Sequence, residues 1–312
     1  NPRHEATMVN ARIRKAFVKN KIPVYSIGNP GDLTYDYTSL GDEVNDIKNI
    51  FDDKSEINKK LKNSKKPIFI IGESVLELKN SKYILEKTKD FLIENNFIND
   101  TWNALSILIQ NASTVGAIDL GFYNIDKNKN FIFFDKLKNK EFKLLYLVGS
   151  DNLEIKKSDE FIIYQGSHGD KNASIADVIL PSPTYTEQKG LFENLEGRIQ
   201  ECRKASYPTN EALEDWKIFN LINNSLNNSD LFLDFNSIRK LALQKIPNFS
   251  EIDSLPKNKK LTKINTSLEA SSEKINIKNI DYYYTNSIAR ASKTMSDCRN
   301  IFIDKKKNGT NN

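Results

Sequence analysis

The stretch that decides the fold runs from Tyr164 to Trp216 and reads YQGSHGDKNASIADVILPSPTYTEQKGLFENLEGRIQECRKASYPTNEALEDW. Within it, residues 177–180 are mostly apolar, include the β-branched Val178 and Ile179, and are followed by Pro181, which predicts a short strand that ends at the proline. Residues 182–190 form a polar segment with no periodicity. An exposed polar loop at the end of a strand is a common place for ligand contact.

The second half of the same stretch predicts a hairpin and a helix. Residues 192–200 read as two short strands that turn at Glu196 and Gly197. Thr209 or Asn210 is a suitable N-terminal cap, so a helix is expected over residues 211–227. The order is therefore strand, polar loop, hairpin and helix.

Outside this stretch, apolar runs of strand length alternate with segments of helical period. Strands with nearly continuous apolar residues are typical of parallel sheets that are covered on both faces. Because such strands alternate here with helices, the sequence predicts an α/β fold with a doubly wound, mostly parallel sheet. The predicted strands are residues 23–27, 67–72, 144–148 and 161–166, and the predicted helices are residues 8–19, 54–66, 80–96, 102–115 and 235–245.

Composition excludes several classes of protein. With 312 residues and 38% hydrophobic content, the chain can bury a sizeable core. The formal net charge of +5 comes mainly from scattered lysines, whereas a nucleic-acid site needs clustered basic residues with interleaved aromatics. We therefore expect no nucleic-acid partner. No signal peptide and no apolar run near membrane-spanning length is visible, so direct membrane insertion is not expected.

The two cysteines, Cys202 and Cys298, are far apart and share no CxxC spacing. They cannot supply a usual ligand set for an iron–sulfur cluster or a structural zinc, so no metal site is expected. They also do not form the framework of a secreted disulfide protein, which favours a reducing compartment.

Three regions of different character suggest the domain organisation. We expect one α/β domain over residues 1–245, a linker over residues 246–280, which are rich in Lys, Asn and Ser, and a docking tail over residues 281–312. The tail begins with Tyr282, Tyr283 and Tyr284. Three adjacent rings cannot all face one core, so at least one should be exposed or contact a partner.

Few residues stand out as candidates for chemistry. The glycines at strand ends could approach a phosphate, although none lies in a GxGxxG pattern and a turn also requires glycine; they are Gly28, Gly72, Gly149 and Gly166. His168 lies in a polar turn beside Asp170, but no nucleophile accompanies it, and His4 has less support still. Glu196 and Arg198 are expected to pair across the hairpin. No catalytic residue is predicted.

Several motifs resemble the molybdopterin oxidoreductase superfamily. They are Asn1-Pro2-Arg3-His4-Glu5-Ala6, residues 10–14 (NARIR), 176–181 (ADVILP), 185–187 (YTE), 194–200 (NLEGRIQ) and 214–218 (EDWKI). Residues 27–35 (IGNPGDLTY) and 284–295 (YTNSIARASKTM) narrow the resemblance to the large iron–sulfur subunits of respiratory complex I. The resemblance is strong over residues 1–42, 144–217 and 282–298.

The resemblance implies a molybdopterin-oxidoreductase-type α/β domain that has kept the fold without the cofactor. It implies a C-terminal part of a longer subunit, with 2Fe-2S and 4Fe-4S clusters upstream of Asn1 and none in this fragment. The fragment would be a non-catalytic scaffold in electron transfer from NADH to quinone. Its partners would be flavin-bearing and cluster-bearing subunits, on the cytoplasmic face of a bacterial inner membrane or the matrix side in mitochondria.

The same resemblance leaves an alternative open. If the chain belongs to a true molybdopterin enzyme, such as one similar to formate dehydrogenase, the loop at residues 184–200 would hold a pterin dinucleotide. In that case the resemblance implies these cofactor contacts: Gly28, Asp32, Gly149, Asp151, Glu187 and Asn194. If the first interpretation holds, none of these residues is expected to bind a cofactor.

Overall fold

The structure is a computed structural model of the chain. It describes residues 1–122, 133–150, 153–169, 171–246, 251–258, 261–263, 268–276 and 280–307, with side chains in the last range described to residue 303. The chain divides into two compact units. Unit 1 comprises residues 1–112 and 255–280, and unit 2 comprises residues 113–254 and 281–312.

Unit 1 contains helices and short strand pairs. Its helices are α1 (Pro2–Glu5), α2 (Thr7–Asn20), α3 (Lys48–Phe51), α4 (Glu56–Lys62) and α5 (Ser81–Glu94), with 3₁₀ turns at Val44–Ile47 and Glu73–Glu77. Its strands are β1 (Tyr25–Ser26), β2 (Thr38–Ser39), β3 (Phe69–Gly72), β4 (Ile98–Asn99), β5 (Trp102–Asn103) and β6 (Leu105–Leu108). β1 pairs with β2 and β3 with β6, both in parallel, whereas β4 and β5 are antiparallel.

The core of unit 1 includes residues that are distant in sequence from the rest of the unit. Val44, which is fully buried, packs in a cluster with Ile71 and with Tyr83 of α5. Ile275 packs against this cluster, and the amide of Val44 donates to the carbonyl of Glu273 at 2.9 Å. Part of the predicted linker therefore contributes to the packing of unit 1.

Unit 2 is built on a three-stranded parallel sheet and a separate hairpin. Its strands are β7 (Leu144–Val148), β8 (Phe161–Gly166), β9 (Val178–Pro181), β10 (Gly190–Glu193) and β11 (Ile199–Cys202), and its helices are α6 (Thr114–Asp119), α7 (Phe133–Lys138), α8 (Lys171–Ser174), α9 (Asp215–Asn227), α10 (Phe235–Lys245), α11 (Ser287–Ala291) and α12 (Lys293–Lys307). The sheet order is β7-β8-β9, and β10 pairs antiparallel with β11.

The two faces of the three-stranded sheet differ. Leu145, Leu147, Ile162 and Tyr164 project from one face into a buried cluster. On the other face, the Tyr146 ring stacks on Phe219 of α9, with ring centroids 5.7 Å apart. The alternation of side chains along β7 and β8 produces this division.

The last residues of unit 2 form a small helical assembly. The hydroxyl of Tyr284 hydrogen-bonds Ser296 in α12 at 3.0 Å, and Tyr283 contacts Phe302 with ring centroids 6.0 Å apart. Tyr282 remains 47% exposed, as expected for one of three adjacent rings.

Most predicted elements are confirmed. The α/β class with mostly parallel pairing is confirmed, although the strands form several small sheets, and the strand that ends at Pro181 extends the sheet of β7 and β8. The hairpin is confirmed with its turn at Gly197, whose φ is +75°. Arg198 lies 3.7 Å from Glu196, as predicted. The domain bounds 1–245, 246–280 and 281–312 stay a prediction.

Two predictions are wrong. The helix expected over residues 102–115 is wrong, because Leu105–Leu108 forms strand β6 and pairs with β3. A short apolar run is compatible with the period of a helix and with that of a strand. The helix expected from residue 211 begins at Asp215. Asn210 has a φ of +51°, and the amide of Leu213 donates to the Pro181 carbonyl at 3.2 Å, so this segment is held as a turn.

Candidate functional site

An open cleft lies at the carboxyl ends of β8 and β9, where parallel α/β sheets usually place ligands. Its volume is about 680 Å³. The lining residues come from the loop after β8, the loop after β9 and the turn before α9: Ser167, His168, Pro181, Ser182, Thr184, Glu187, Thr209, Asn210, Glu211 and Ala212. Hydroxyls and carboxylates therefore dominate the cleft.

The backbone positions these side chains. The amide of Ser182 donates to the carbonyl of Gly166 at 3.0 Å, which keeps the β8 and β9 loops together. Glu187 accepts a hydrogen bond from the amide of Thr184 at 3.1 Å, and the hydroxyls of Thr184 and Thr186 are 2.8 Å apart. The loop at residues 182–190 is consequently shaped by its own polar groups.

A polar chain in the sheet links it to α9. The Tyr146 hydroxyl lies 2.5 Å from Oε1 of the fully buried Gln165, whose Nε2 donates to Asp215 at 2.7 Å. Burial, with the charge of Asp215 as a second cause, raises the pKa of Tyr146. Because both ends of the Gln165 amide are hydrogen-bonded, this network fixes the start of α9 beside the sheet.

Glu214 precedes α9 and is 9% exposed. Burial by itself raises the pKa of this carboxyl, but hydrogen bonds from Lys204 and from the Trp216 indole, the latter at 2.9 Å, outweigh burial and leave the pKa lowered. Glu214 therefore remains charged and joins the region after strand β11 to α9.

Among the described residues, His168 has only Ser167 as a hydrogen-bond partner, and Asp170 lies outside the described residues. Its Nδ1 lies 3.1 Å from Oγ of Ser167, and the His168 side chain is exposed. Among the described residues, no carboxylate hydrogen-bonds the other ring nitrogen to orient it, as a nucleophile–base pair requires. The described residues of the cleft can therefore hydrogen-bond a polar group.

Known protein families match the chain over most of its length. The family model described as Molybdopterin oxidoreductase matches residues 1–224. The chain belongs to the molybdopterin oxidoreductase family. Residues 250–298 match a second family model, which describes the C-terminal region of the G subunit of NADH-ubiquinone oxidoreductase.

Curated members related to the chain are similar over nearly all of it. It is 35% identical to the NADH-ubiquinone oxidoreductase 75 kDa subunit of Reclinomonas americana, covering 97% of this chain and 44% of the relative. It is 35% identical to the mitochondrial 78 kDa subunit of NADH-ubiquinone oxidoreductase from Candida albicans, and the match covers 97% of this chain and 42% of the relative. It is 34% identical to the G subunit of the NADH-quinone oxidoreductase of Rickettsia bellii, covering 96% and 42%. The chain thus spans less than half the length of these relatives.

The residues that the resemblance assigns to pterin contact fall in both units of the chain. Gly28 and Asp32 belong to unit 1, whereas Gly149, Glu187 and Asn194 belong to unit 2, and Asp151 lies outside the described residues. Of the described residues, Glu187 lines the cleft, while Gly149 follows the neighbouring strand β7.

Three of these residues have identifiable structural roles. Asn194 Oδ1 accepts the amides of Glu196 and Arg198, at 2.9 and 3.0 Å, within the hairpin turn. Asp32 accepts the amide of Thr34 at 2.7 Å and the Arg3 guanidinium at 2.6 Å, and these hydrogen bonds lower the pKa of Asp32. A side chain at Gly28 would meet Ile275 at 3.3 Å.

The cleft does not fit the cofactor of the family. A pterin dinucleotide carries an anionic diphosphate, which is normally bound by cationic side chains or by converging amides. The described lining residues include two carboxylates, Glu187 and Glu211, and neither lysine nor arginine. A diphosphate in this cleft would face like charges.

Whether the metal-binding side chains of the described residues could hold a metal ion is a separate question. Where the structure describes the chain, no three His, Cys, Asp or Glu side chains converge as ligands. Cys202 is half-buried and Cys298 is exposed, and both thiols are free. None of the described helices combines the length and apolar content that crossing a bilayer takes.

Sequence reasoning missed two parts of this region. Residues 209–212 line the cleft, although the sequence predicts them as the cap and first turn of a helix. Gln165 and Asp215, 50 residues apart, pair through their side chains. The available signal was Gln165 itself, a polar residue inside an otherwise apolar strand, which has to find a partner when it is buried.

Proposed function

We propose that this chain is part of the large peripheral-arm subunit of a proton-translocating NADH:quinone oxidoreductase. The observation that carries the proposal is the combination of two matches: the molybdopterin oxidoreductase model over residues 1–224 and the model for the C-terminal region of the G subunit over residues 250–298. The relatives that cover 96–97% of the chain are named as subunits of the same oxidoreductase. These matches favour this function over that of a molybdopterin-dependent dehydrogenase.

Within that subunit the chain acts as a scaffold for electron transfer from NADH to quinone. Support comes from polar groups that serve the fold, such as Asn194 in its turn and Asp32 beside Arg3. The acidic lining of the cleft also disfavours a dinucleotide. The fragment carries no cofactor, and the 2Fe-2S and 4Fe-4S clusters are bound by the parent subunit upstream of Asn1.

The assembly places the chain beside flavin-bearing and cluster-bearing subunits of the peripheral arm. In a bacterium this arm faces the cytoplasm from the inner membrane, and in a mitochondrion it faces the matrix. The names of the relatives support membership of the complex, and the side of the membrane is part of the proposal.

Elemental analysis of the native complex tests the function. The full-length parent protein is isolated with an antibody to this chain, and iron, molybdenum and flavin are quantified per copy. We expect iron and flavin with co-purifying subunits and no molybdenum. Stoichiometric molybdenum would overturn the proposal and make residues 184–200 a cofactor clamp.

A second experiment tests the scaffold role. Glu187→Gln and Thr209→Ala alter the lining of the cleft at positions outside the strands. We expect NADH:quinone activity per assembled complex to change by less than about twofold, because no reacting group is removed. A loss above about tenfold in complexes that assemble normally would show that the cleft takes part in turnover.

A further inference from the structure

The segment that contains most of α9 and the following turn is unusually poor in charge. Charged residues make up 28% of the chain, but residues 218–238 contain only Asp230 and Asp234. The segment is bordered by Lys217 and Arg239. Depletion of charge, and of lysine in particular, is characteristic of the central part of protein–protein interfaces.

The last residues of α9 and the turn after it display leucines to solvent. We call residues 226–233 the leucine turn. Leu226 is 76% exposed, Leu231 52% and Leu233 90%. A single exposed leucine is ordinary, but three within residues 226–233 give this segment the exposed apolar character that marks an interaction site.

Asparagine side chains of α9 hold this turn in one conformation. Oδ1 of Asn220 accepts the amides of Leu231 and Phe232 at 2.7 and 3.0 Å, and its Nδ2 donates to the carbonyl of Phe232 at 3.1 Å. Nδ2 of Asn224 donates to Asp230 at 3.0 Å. The exposed leucines are thus held in place before any partner binds, which lowers the entropic cost of binding.

We propose that the leucine turn is a docking site for another polypeptide, which receives it in an uncharged apolar pocket bordered by lysine or arginine. The charges of Asp230 and Asp234 favour basic residues at the edge of that pocket. The same two charges oppose an anionic lipid surface, which selects basic segments. A twofold contact with a second copy would bring four carboxylates, two from each copy, into one interface without adding a basic partner for them.

Site-specific photocrosslinking in the assembled parent complex tests the proposal. The substitution Leu226→p-benzoylphenylalanine is introduced into the full-length protein, and the assembled complex is irradiated. The peptide that becomes attached at residue 226 is then identified by mass spectrometry. We expect attachment to a different polypeptide, at a segment with aliphatic or aromatic residues and neighbouring lysine or arginine. Attachment to lipid, to a second copy or to no partner would overturn the proposal.

Additional substitutions in the crosslinking variant test the leucine side chains and the asparagine that holds the turn separately. Adding Leu233→Asp should lower the crosslink yield about tenfold, the affinity change expected when one buried leucine is lost, whereas Leu233→Met should leave the yield unchanged. Asn220→Ala should lower the yield several-fold, because the turn is no longer held. A yield that Leu233→Asp does not change would contradict docking through this turn.

The outcome is separable from that of the proposed function. Leu233 is 90% exposed, so Leu233→Asp should leave the unfolding transition of the protein unchanged. Metal and flavin content test the identity of the complex, whereas the crosslink tests the surface. Either proposal can therefore fail while the other holds.

Discussion

At the scale of single residues, Gly166 shows how close packing limits sequence choice beside the cleft. It ends β8, and a Cβ built at this position would lie 2.5 Å from the hydroxyl of Tyr164 and 2.8 Å from two ring carbons. Tyr164 is 1% exposed and belongs to the main core cluster of unit 2. A side chain at this position would therefore have to displace a buried ring.

We predict that Gly166→Ala lowers the free energy of unfolding by about 1–3 kcal/mol, the usual cost of inserting a methyl group into a packed core. Gly190→Ala is the matched control, because a Cβ there meets no atom within 4 Å. Urea denaturation of both variants measures the difference. Equal midpoints for the two variants would contradict this account of Gly166.

The carboxyl group of Glu214 should make the stability of the folded protein depend on pH. Because its pKa in the folded protein lies below the ordinary value of 4.5, its stabilisation is present above pH 4.5 and is lost as the pH falls through the folded pKa. We expect Glu214→Gln to reduce stability at pH 7 by about 1.5–3 kcal/mol, the contribution of hydrogen bonds to a charged group. The difference from the unsubstituted protein should shrink below pH 4.5.

Denaturant unfolding at several pH values checks this sign. Glu211→Gln is the control, because Glu211 is an exposed residue of the neighbouring turn. If the Glu214→Gln variant lost as much stability in acid as at neutral pH, the cluster of Lys204, Glu214 and Trp216 would not act through charge.

At the scale of elements, the β10–β11 hairpin depends on one side chain in its turn. Asn194 accepts two amides of the turn through its side chain, and its backbone amide donates to the Arg198 carbonyl at 3.0 Å. Arg198 in turn contacts the Asp253 carbonyl, which ties the hairpin to a later part of unit 2. The resemblance to pterin-binding proteins suggests a ligand contact for Asn194, but its contacts are those of a turn residue.

We predict that Asn194→Ala destabilises unit 2 by about 1 kcal/mol, because two turn amides lose their acceptor. The variant Asn194→Asp should lose less stability, since aspartate keeps an acceptor oxygen at the same position. Amide hydrogen exchange at residues 194–199 measures the effect locally. Unchanged exchange in Asn194→Ala would show that the turn does not depend on this side chain.

At the scale of the whole molecule, sequence order and spatial grouping differ. Residues 268–276 pack with unit 1, although residues 113–254 of unit 2 intervene in the sequence. The amides of Lys79 and Asn80 both donate to the Glu273 carboxylate at 3.1 Å, and the amide of Ile275 donates to the Asp42 carbonyl at 2.8 Å. Unit 1 is therefore completed by a segment distant in sequence.

We predict that Ile275→Ala destabilises unit 1 by about 2 kcal/mol, because it removes apolar contacts to the cluster around Val44. Hydrogen exchange should rise most at residues 44–47. Leu255→Ala is the control, since Leu255 is 54% exposed and should change stability by less than about 0.5 kcal/mol. If both variants behaved alike, the segment would not support the core of unit 1.

The sequence by itself determined the strands β3, β7, β8 and β9, the hairpin and α10, because apolar runs, prolines and glycines act through local backbone preference and periodicity. It also determined the family, through motifs that need no coordinates. Only the tertiary structure decided that Leu105–Leu108 is a strand, that residues 209–212 line the cleft and that Ile275 belongs with Val44. These features depend on contacts between residues far apart in the chain, which outweigh local preference and leave no periodic signal in the sequence.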